Sequence, residues 1–183
     1  MKKIGILREI KNEELSLILT WRNSPFVKAN MYSRHEISNE EHLAWWNKIK
    51  DQKNQKQFMY EQDGTPYGVV GFSQIDYLNK NAAWAFYAAP EAPVGCGSRM
   101  ELLALDHAFD QLQLRKLYCE VLDFNKSVIN LHDKFGFQIE GVFKSHHLYE
   151  EKFIDIIRLS ILLEEWRAKR SEILIKLKVK GDQ

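Results

Sequence analysis

The run Glu91–Gly97, EAPVGCG, leads without a break into Ser98-Arg99-Met100-Glu101-Leu102-Leu103, and this junction constrains the fold more than any other stretch. A glycine turn here takes an extended segment straight into an amphipathic helix, expected over Gly97–Leu112. Its residues Leu102, Leu103, Leu105, Ala108, Phe109 and Leu112 make a broad apolar stripe. The first N–H groups of such a helix lack partners within it and converge at the positive end of its dipole. A point of that kind holds phosphate or pyrophosphate. The preceding segment, Asn81–Ala89, reads as a strand. After the helix come a further strand, Arg115–Leu122, and a short helix opening at Asn125 and ended by Gly136.

The rest of the chain fits around this unit. Lys3–Ile10 alternates as a first strand, and Asn12–Trp21 reads as a short helix capped by Asn12. Ser38 caps a second helix, SNEEHLAWWNKIK, with Glu41 at the capping-box position. Lys56–Gln62 and Thr65–Tyr77 form a hairpin through Asp63-Gly64. Gln138–Lys144 and Phe153–Leu162 make a last antiparallel pair, and Glu164–Arg170 is helical. The alternating tail Glu172–Lys180 fits a weak edge strand or a disordered end. The expected architecture is one α/β domain over residues 1–170, with a mixed, mostly antiparallel sheet flanked by helices, and a C-terminal tail over 171–183.

Composition narrows the partners. The 183 residues carry a net charge of +1, so no general electrostatic attraction to nucleic acid or a membrane surface is expected. Any anion must be captured locally. The two cysteines, Cys96 and Cys119, have neither metal nor redox spacing; no metal is expected, and a reducing cytoplasm fits. The basic start MKKIGILREI is broken by Gly5, Arg8 and Glu9 and is not expected to act as a signal peptide. The mostly apolar stretch Ala82–Pro90 is far short of the ~20 residues of a membrane span.

Two common phosphate loops are excluded. GxxxxGK[ST] fails because no lysine follows Gly97, and GxGxxG fails because Met100 holds the third glycine position. The order strand, Gly-x-Gly turn, helix, strand, Asn-led helix instead resembles the GCN5-related N-acetyltransferases. That family's loop pattern [Q/R]-x-x-G-x-[G/A] falls on Ala92–Gly97, with Ala92 in place of the usual Gln or Arg. Its later pattern N-x-x-A-x-x-x-Y-x-K-x-G-F falls on Asn125–Phe137, with Val128 for the small residue and His132 for the tyrosine. The resemblance implies acetyl-coenzyme A as donor. Its pyrophosphate would rest on the loop Val94, Gly95, Cys96, Gly97 and Ser98. Its pantetheine would pair with Phe86, Tyr87 and Ala88, where two strands splay apart. Asn125 would hold the arm from the other side, and Arg99 and Lys134 would reach phosphates.

On the acceptor side, Trp21-Arg22-Asn23, Met31-Tyr32-Ser33, and His42, Trp45 and Trp46 on one helix offer a cation, an imidazole and flat apolar faces. That mixture suits a ligand with phosphate, a ring and a methyl group. A core or solvated role is the alternative for His42 and Trp45, and Trp46 is expected in the core. Together with Glu120-Val121, these segments resemble one branch, the acetyltransferases of pseudaminic acid biosynthesis. The branch implies a nucleotide-sugar acceptor, UDP-4-amino-4,6-dideoxy-N-acetyl-β-L-altrosamine, acetylated on its 4-amino group. Arg22 and His42 would then lie near the phosphates, with Met31, Tyr32, Trp45 and Glu120 bordering the sugar.

Amine acetylation needs a proton removed from an ammonium with a pKa near ~10.4 and a donor for the leaving thiolate. His132, where the family often carries a tyrosine, is the candidate acid; the alternative is a polar residue satisfied on the helix surface. Glu120 is the candidate base, direct or through water, or a hydroxyl acceptor; the alternative is a structural ion pair. Cys119 is expected in the core, and direct transfer without an acetyl-enzyme is expected. A ribosomal-protein-type N-acetyltransferase and a non-catalytic acyl-coenzyme A sensor remain as other readings, and the chain is expected to be a monomer or homodimer.

Overall fold

Strand pairing begins at the Asp63-Gly64 turn, where both residues have positive φ (51° and 80°), the geometry that matches the twist of a two-residue hairpin. It joins β2 (Lys56–Gln62) to β3 (Thr65–Asp76). Adding β1 (Ile6–Glu9), β4 (Asn81–Ala88), β5 (Lys116–Leu122), β6 (Gln138–Tyr149) and β7 (Lys152–Leu162) completes a seven-stranded sheet, ordered β1-β2-β3-β4-β5-β7-β6. Every neighbouring pair is antiparallel except β4 and β5, which are parallel. The architecture is the expected α/β one, seen in a computed structural model that describes residues 4–178.

The two faces of the sheet have separate cores. One packs Trp84, Leu117, Cys119 and Val121 against α4 (Cys96–Asp106), α5 (Lys126–Phe135) and α6 (Leu163–Leu177). The other packs Met59 and Val69 against Ile18, Trp21, Trp46 and Ile49 of α1 (Leu15–Asn23) and α3 (Asn39–Ile49). A short α2 (Pro25–Lys28), capped by Ser24, leads into the irregular link before α3. Period-two alternation makes this two-sided burial possible, because successive residues of β2 and β3, Met59 then Tyr60 and Val69 then Val70, serve opposite cores.

Three local expectations are corrected. Asn12 does not cap α1; it lies in a 3-10 turn, Asn12–Glu14, and its side-chain oxygen accepts from Trp46 Nε1 at 3.3 Å. Glu14 does the capping work instead, reaching back to the Lys11 amide at 2.8 Å. The helix after the glycine turn is not uniform to Leu112: α4 ends at Asp106 and the chain widens into a π-turn over His107–Gln111. The tail is neither an edge strand nor a disordered end through Leu177. Those residues continue α6 past position 170, and Ile173 is buried at 3% exposure. Packing against α4 overrode the alternating pattern; Val179 and Lys180 lie outside the described residues.

Candidate active site

Parallel pairing of β4 and β5 stops after Ala83↔Tyr118, although both strands run on to Ala88 and Leu122. Beyond that point the strands part, and the sheet opens into a cleft of about 490 Å³. Phe86, Tyr87 and Ala88 border it from β4, Cys119 and Glu120 from β5, and Gly97, Asn125 and His132 from the helices on one face. Phe26, Met31 and Tyr32 border it from the opposite face. The cleft therefore passes through the sheet and is open to two ligands arriving from different sides.

The glycine turn has the expected form. Gly95 sits at the N-cap of α4 with φ 83°, a left-handed conformation that suits glycine. The Cys96 amide bonds Pro93 O and the Arg99 amide bonds Gly95 O, while the Gly97 and Ser98 amides have no backbone acceptor outside α4 among the described residues. A Cβ on Gly97 would stand 3.5 Å from both Leu131 and Phe86, so a larger side chain there fills the cleft between α5 and β4. Cys96 itself turns inward, with its Sγ 3.6 Å from Met100 Sδ, and burial pushes its thiol up to about 11. It offers a backbone, not a nucleophile.

Two of the residues expected at phosphates are elsewhere. Arg99 is buried at 7% exposure and points into the protein, donating to Gln62 Oε1 at 3.1 Å and to Val94 O at 3.1 Å. It braces the loop from beneath because a guanidinium has five donors and the loop carbonyl needs one. The Val94 side chain is 97% exposed, outside the cleft. Lys134 is exposed in the last turn of α5, at the end away from Asn125, and does not border the cleft. Its charge suits the negative end of that helix dipole. Asn125 does border the cleft, and its side chain caps α5 by accepting from the Val128 amide at 3.4 Å.

His132 is 2% exposed and stands at the cleft, not on a solvated surface. Trp84, Phe86 and Phe137 surround its ring, with centroids 5.4, 6.2 and 5.0 Å away. Its Nδ1 lies 2.8 Å from Glu101 Oε1. Burial by itself opposes charge on the ring, but the nearby Cys119 and Glu101 outweigh it and raise the imidazolium pKa to about 10. Glu101 has no exposure, and its desolvation raises its own pKa against the pull of His132. We take the ring as the charged partner, because Glu101 and Cys119 beside it are acceptors and, among the described residues, the carboxylate's only side-chain hydrogen-bond partner is that ring.

On the opposite face, Glu120 is partly exposed, and Tyr32 and Arg158 hold it from two sides: the Tyr32 hydroxyl donates to Oε2 at 3.1 Å and Arg158 Nη1 to Oε1 at 3.0 Å. Arg158 also lies over the Tyr118 ring at 3.9 Å. Glu120 is thus both an ion-pair partner and a cleft carboxylate. Arg22 donates through Nη2 to Ser33 O and Oγ, and its Nη1 is buried without an acceptor. His42 departs from expectation. It is 4% exposed, stacked under Trp45 at 5.3 Å, and desolvation lowers its pKa, so it is neutral and does not border the cleft. Trp45 is 38% exposed and also lies off the cleft; Trp46 is in the core, as expected.

Residues 7–157 match the family model of the acetyltransferase (GNAT) domain. The chain belongs to the GNAT acetyltransferases. It is 28% identical over 139 residues to the Campylobacter jejuni strain 81-176 acetyltransferase PseH, covering 76% of this chain and 86% of the relative. It is 29% identical over 174 residues to the spermidine N(1)-acetyltransferase of Vibrio cholerae, covering 91% and 96%. A crystal structure of spermidine N-acetyltransferase from Vibrio cholerae in complex with CoA and spermine superposes with a TM-score of 0.82 at 24% identity, over 88% of this chain and 96% of that one. The protein is therefore an N-acetyltransferase of this fold. Among the described residues, no helix of this GNAT protein is long and apolar enough to cross a membrane.

Sequence reasoning missed Glu101 and Arg158. Glu101 had a signal: it shares the apolar stripe of its helix with Leu105, Ala108 and Leu112, where a carboxylate needs a partner. Arg158 had none, because its role depends on the register Glu120↔Arg158 between β5 and β7.

Proposed function

We propose that this GNAT protein acetylates the amino group of a nucleotide-linked amino sugar, of the type UDP-4-amino-4,6-dideoxy-N-acetyl-β-L-altrosamine, by direct transfer from acetyl-coenzyme A. The carrying observation is Arg22: it does not itself border the cleft, but its Nη1 is a buried cationic donor without an acceptor among the described residues, in the helix beneath it. A half-satisfied guanidinium is costly, and an incoming oxyanion removes that cost. The spermidine acetyltransferases are equally similar in sequence, and a polyamine is the second reading. A polycation wants several carboxylates, however. Among the described residues bordering the cleft, Glu120 is the only carboxylate, and Arg158 already pairs with it.

Donor binding follows from residues already described. The unpaired amides of Gly97 and Ser98 at the positive end of α4 suit a diphosphate, and the unpaired edge of β4 at Phe86–Ala88 suits an amide-bearing arm. Acetyl-coenzyme A supplies the activated acetyl group. Backbone N–H groups on the same edge stabilise the developing charge on its carbonyl oxygen. Glu120, held by Tyr32 and Arg158, orients the acceptor and receives its proton directly or through water.

The test is the release of coenzyme A thiol from acetyl-coenzyme A with three acceptors: the amino-sugar nucleotide, spermidine, and a peptide N-terminus. The expected kcat/KM for the nucleotide sugar exceeds that for spermidine by at least about 100-fold. The reverse order overturns the proposal in favour of the polyamine.

A further inference from the structure

We propose that Glu101 is a positioning residue that holds His132 as a proton donor to the leaving thiolate, so that a buried carboxylate–imidazole pair performs this step. The proposal deepens the acetyl-transfer reading above and rests on it. Glu101 lies on α4 and His132 on α5, 31 residues apart, yet Oε1 and Nδ1 meet at 2.8 Å with side-chain exposures of 0% and 3%. The other carboxylate oxygen, Oε2, is buried with no partner. A wholly buried carboxylate whose hydrogen bonding goes to a single imidazole is expensive to keep. Apolar side chains would pack the same position between α4 and α5 without that cost.

The geometry gives the carboxylate a function. A histidine's two nitrogens are distinct, and the partner of one decides what the other does. With Nδ1–H committed to Glu101, the other ring N–H of a protonated ring is shared between Cys119 and the cleft that both residues border. The groups facing the ring are few. Glu101 faces it from α4 and Cys119 from β5, and the uncharged aromatics Trp84, Phe86 and Phe137 flank it. Among the described residues no other cation acts on the carboxylate, so the charge that Glu101 stabilises is on His132. The pKa near 10 agrees with a ring still protonated at neutral pH.

In the step itself, the amine nitrogen forms the C–N bond as the C–S bond breaks, and the electron pair goes to sulfur. His132 Nε2 gives its proton to that sulfur and is left neutral, with Nδ1–H still on Glu101. The amine loses one proton to the cleft, through Glu120 or water, and one from solvent restores the imidazolium. Atoms and charge balance.

Two measurements test this. In the first, the ring of His132 is titrated by NMR on histidine-labelled protein without any acceptor. The wild-type ring is expected to stay protonated through neutral pH, and in Glu101→Gln its pKa is expected below about 7. In the second, thiol release is followed in Glu101→Gln, His132→Gln and the double variant with whichever amine is turned over. Each single variant is expected to lower kcat by about 100-fold, with KM for acetyl-coenzyme A within about twofold because the two side chains bond each other and not the amides of the diphosphate loop. The double variant is expected to match His132→Gln, since Glu101 acts only through the ring. A wild-type ring that is neutral at pH 7, an unchanged kcat in Glu101→Gln, or additive losses overturns the proposal. An inactive nucleotide sugar beside a protonated His132 overturns the acceptor assignment alone.

Discussion

The Tyr32 hydroxyl donates to Glu120 Oε2 at 3.1 Å, joining the link after α2 to the splayed part of β5 across 88 residues of chain. Arg158 takes the other carboxylate oxygen. Burial, then the neighbouring Glu120, raises the Tyr32 hydroxyl above its ordinary pKa, so it stays a donor. Tyr32→Phe is expected to lower kcat/KM for the acceptor about 10-fold, and Glu120→Gln about 100-fold. Steady-state kinetics with acetyl-coenzyme A varied separately check that KM for the donor moves by less than about twofold in either variant.

Gly97 lines the cleft, and its missing Cβ would face Phe86 and Leu131. Gly97→Trp is expected to abolish donor binding while far-ultraviolet circular dichroism stays unchanged, because the ring projects into open cleft and not into the core. Titration with coenzyme A by calorimetry reads this directly. Normal affinity in a folded variant would sink the assignment of the α4 N-terminus to the diphosphate.

Arg22→Ala removes the unpaired Nη1 together with the bonds to Ser33. Loss of a charge-assisted contact to an oxyanion costs about 1.5–3 kcal/mol, or roughly 10- to 150-fold in KM for a phosphate-bearing acceptor. Spermidine turnover, if present, is expected to be unchanged or improved. Parallel measurement of both acceptors in the variant separates these outcomes.

Glu14 meets Arg8 through two oxygens, at 2.6 and 2.9 Å, and also caps the Lys11 amide. Its bond to Arg8 lowers its pKa below the ordinary 4.5. The unfolded carboxylate therefore binds protons more readily than the folded one, so this stabilisation is present above pH 4.5 and fades as pH falls through the folded value. Glu14→Gln is expected to cost about 1–2 kcal/mol at pH 7. Urea melts at pH 7 and pH 3 check that the difference from wild type narrows in acid.

Ile173 is buried where an edge strand or a loose tail was a reasonable reading. Its helix is tied to α4 by Asp106, which accepts from Trp166 Nε1 at 3.0 Å and from Arg170 Nε and Nη2 at 2.8 Å each. Ile173→Ala is expected to destabilise the protein by about 2–4 kcal/mol, read from its thermal melt, with no change in KM for either substrate.

The sequence alone determined the parts whose causes are local. The Asp63-Gly64 hairpin, the Gly95 turn into α4 and the Asn125 cap of α5 each follow from a residue whose backbone preference or short side chain acts within a few positions. The order of strands and helices followed from apolar periodicity, and with it came the resemblance that located the cleft. Tertiary structure decided everything that depends on which elements meet. Arg99 turned inward because Gln62, 37 residues away, could accept from it. His42 was buried because Trp45 stacks on it. Residues 171–177 became helical because α4 gave Ile173 a core to enter. The pairing of Glu101 with His132 and of Arg158 with Glu120 needed a helix contact and a strand register. Local preferences are written residue by residue, whereas a partner distant in the chain exists only once the sheet has brought both ends together.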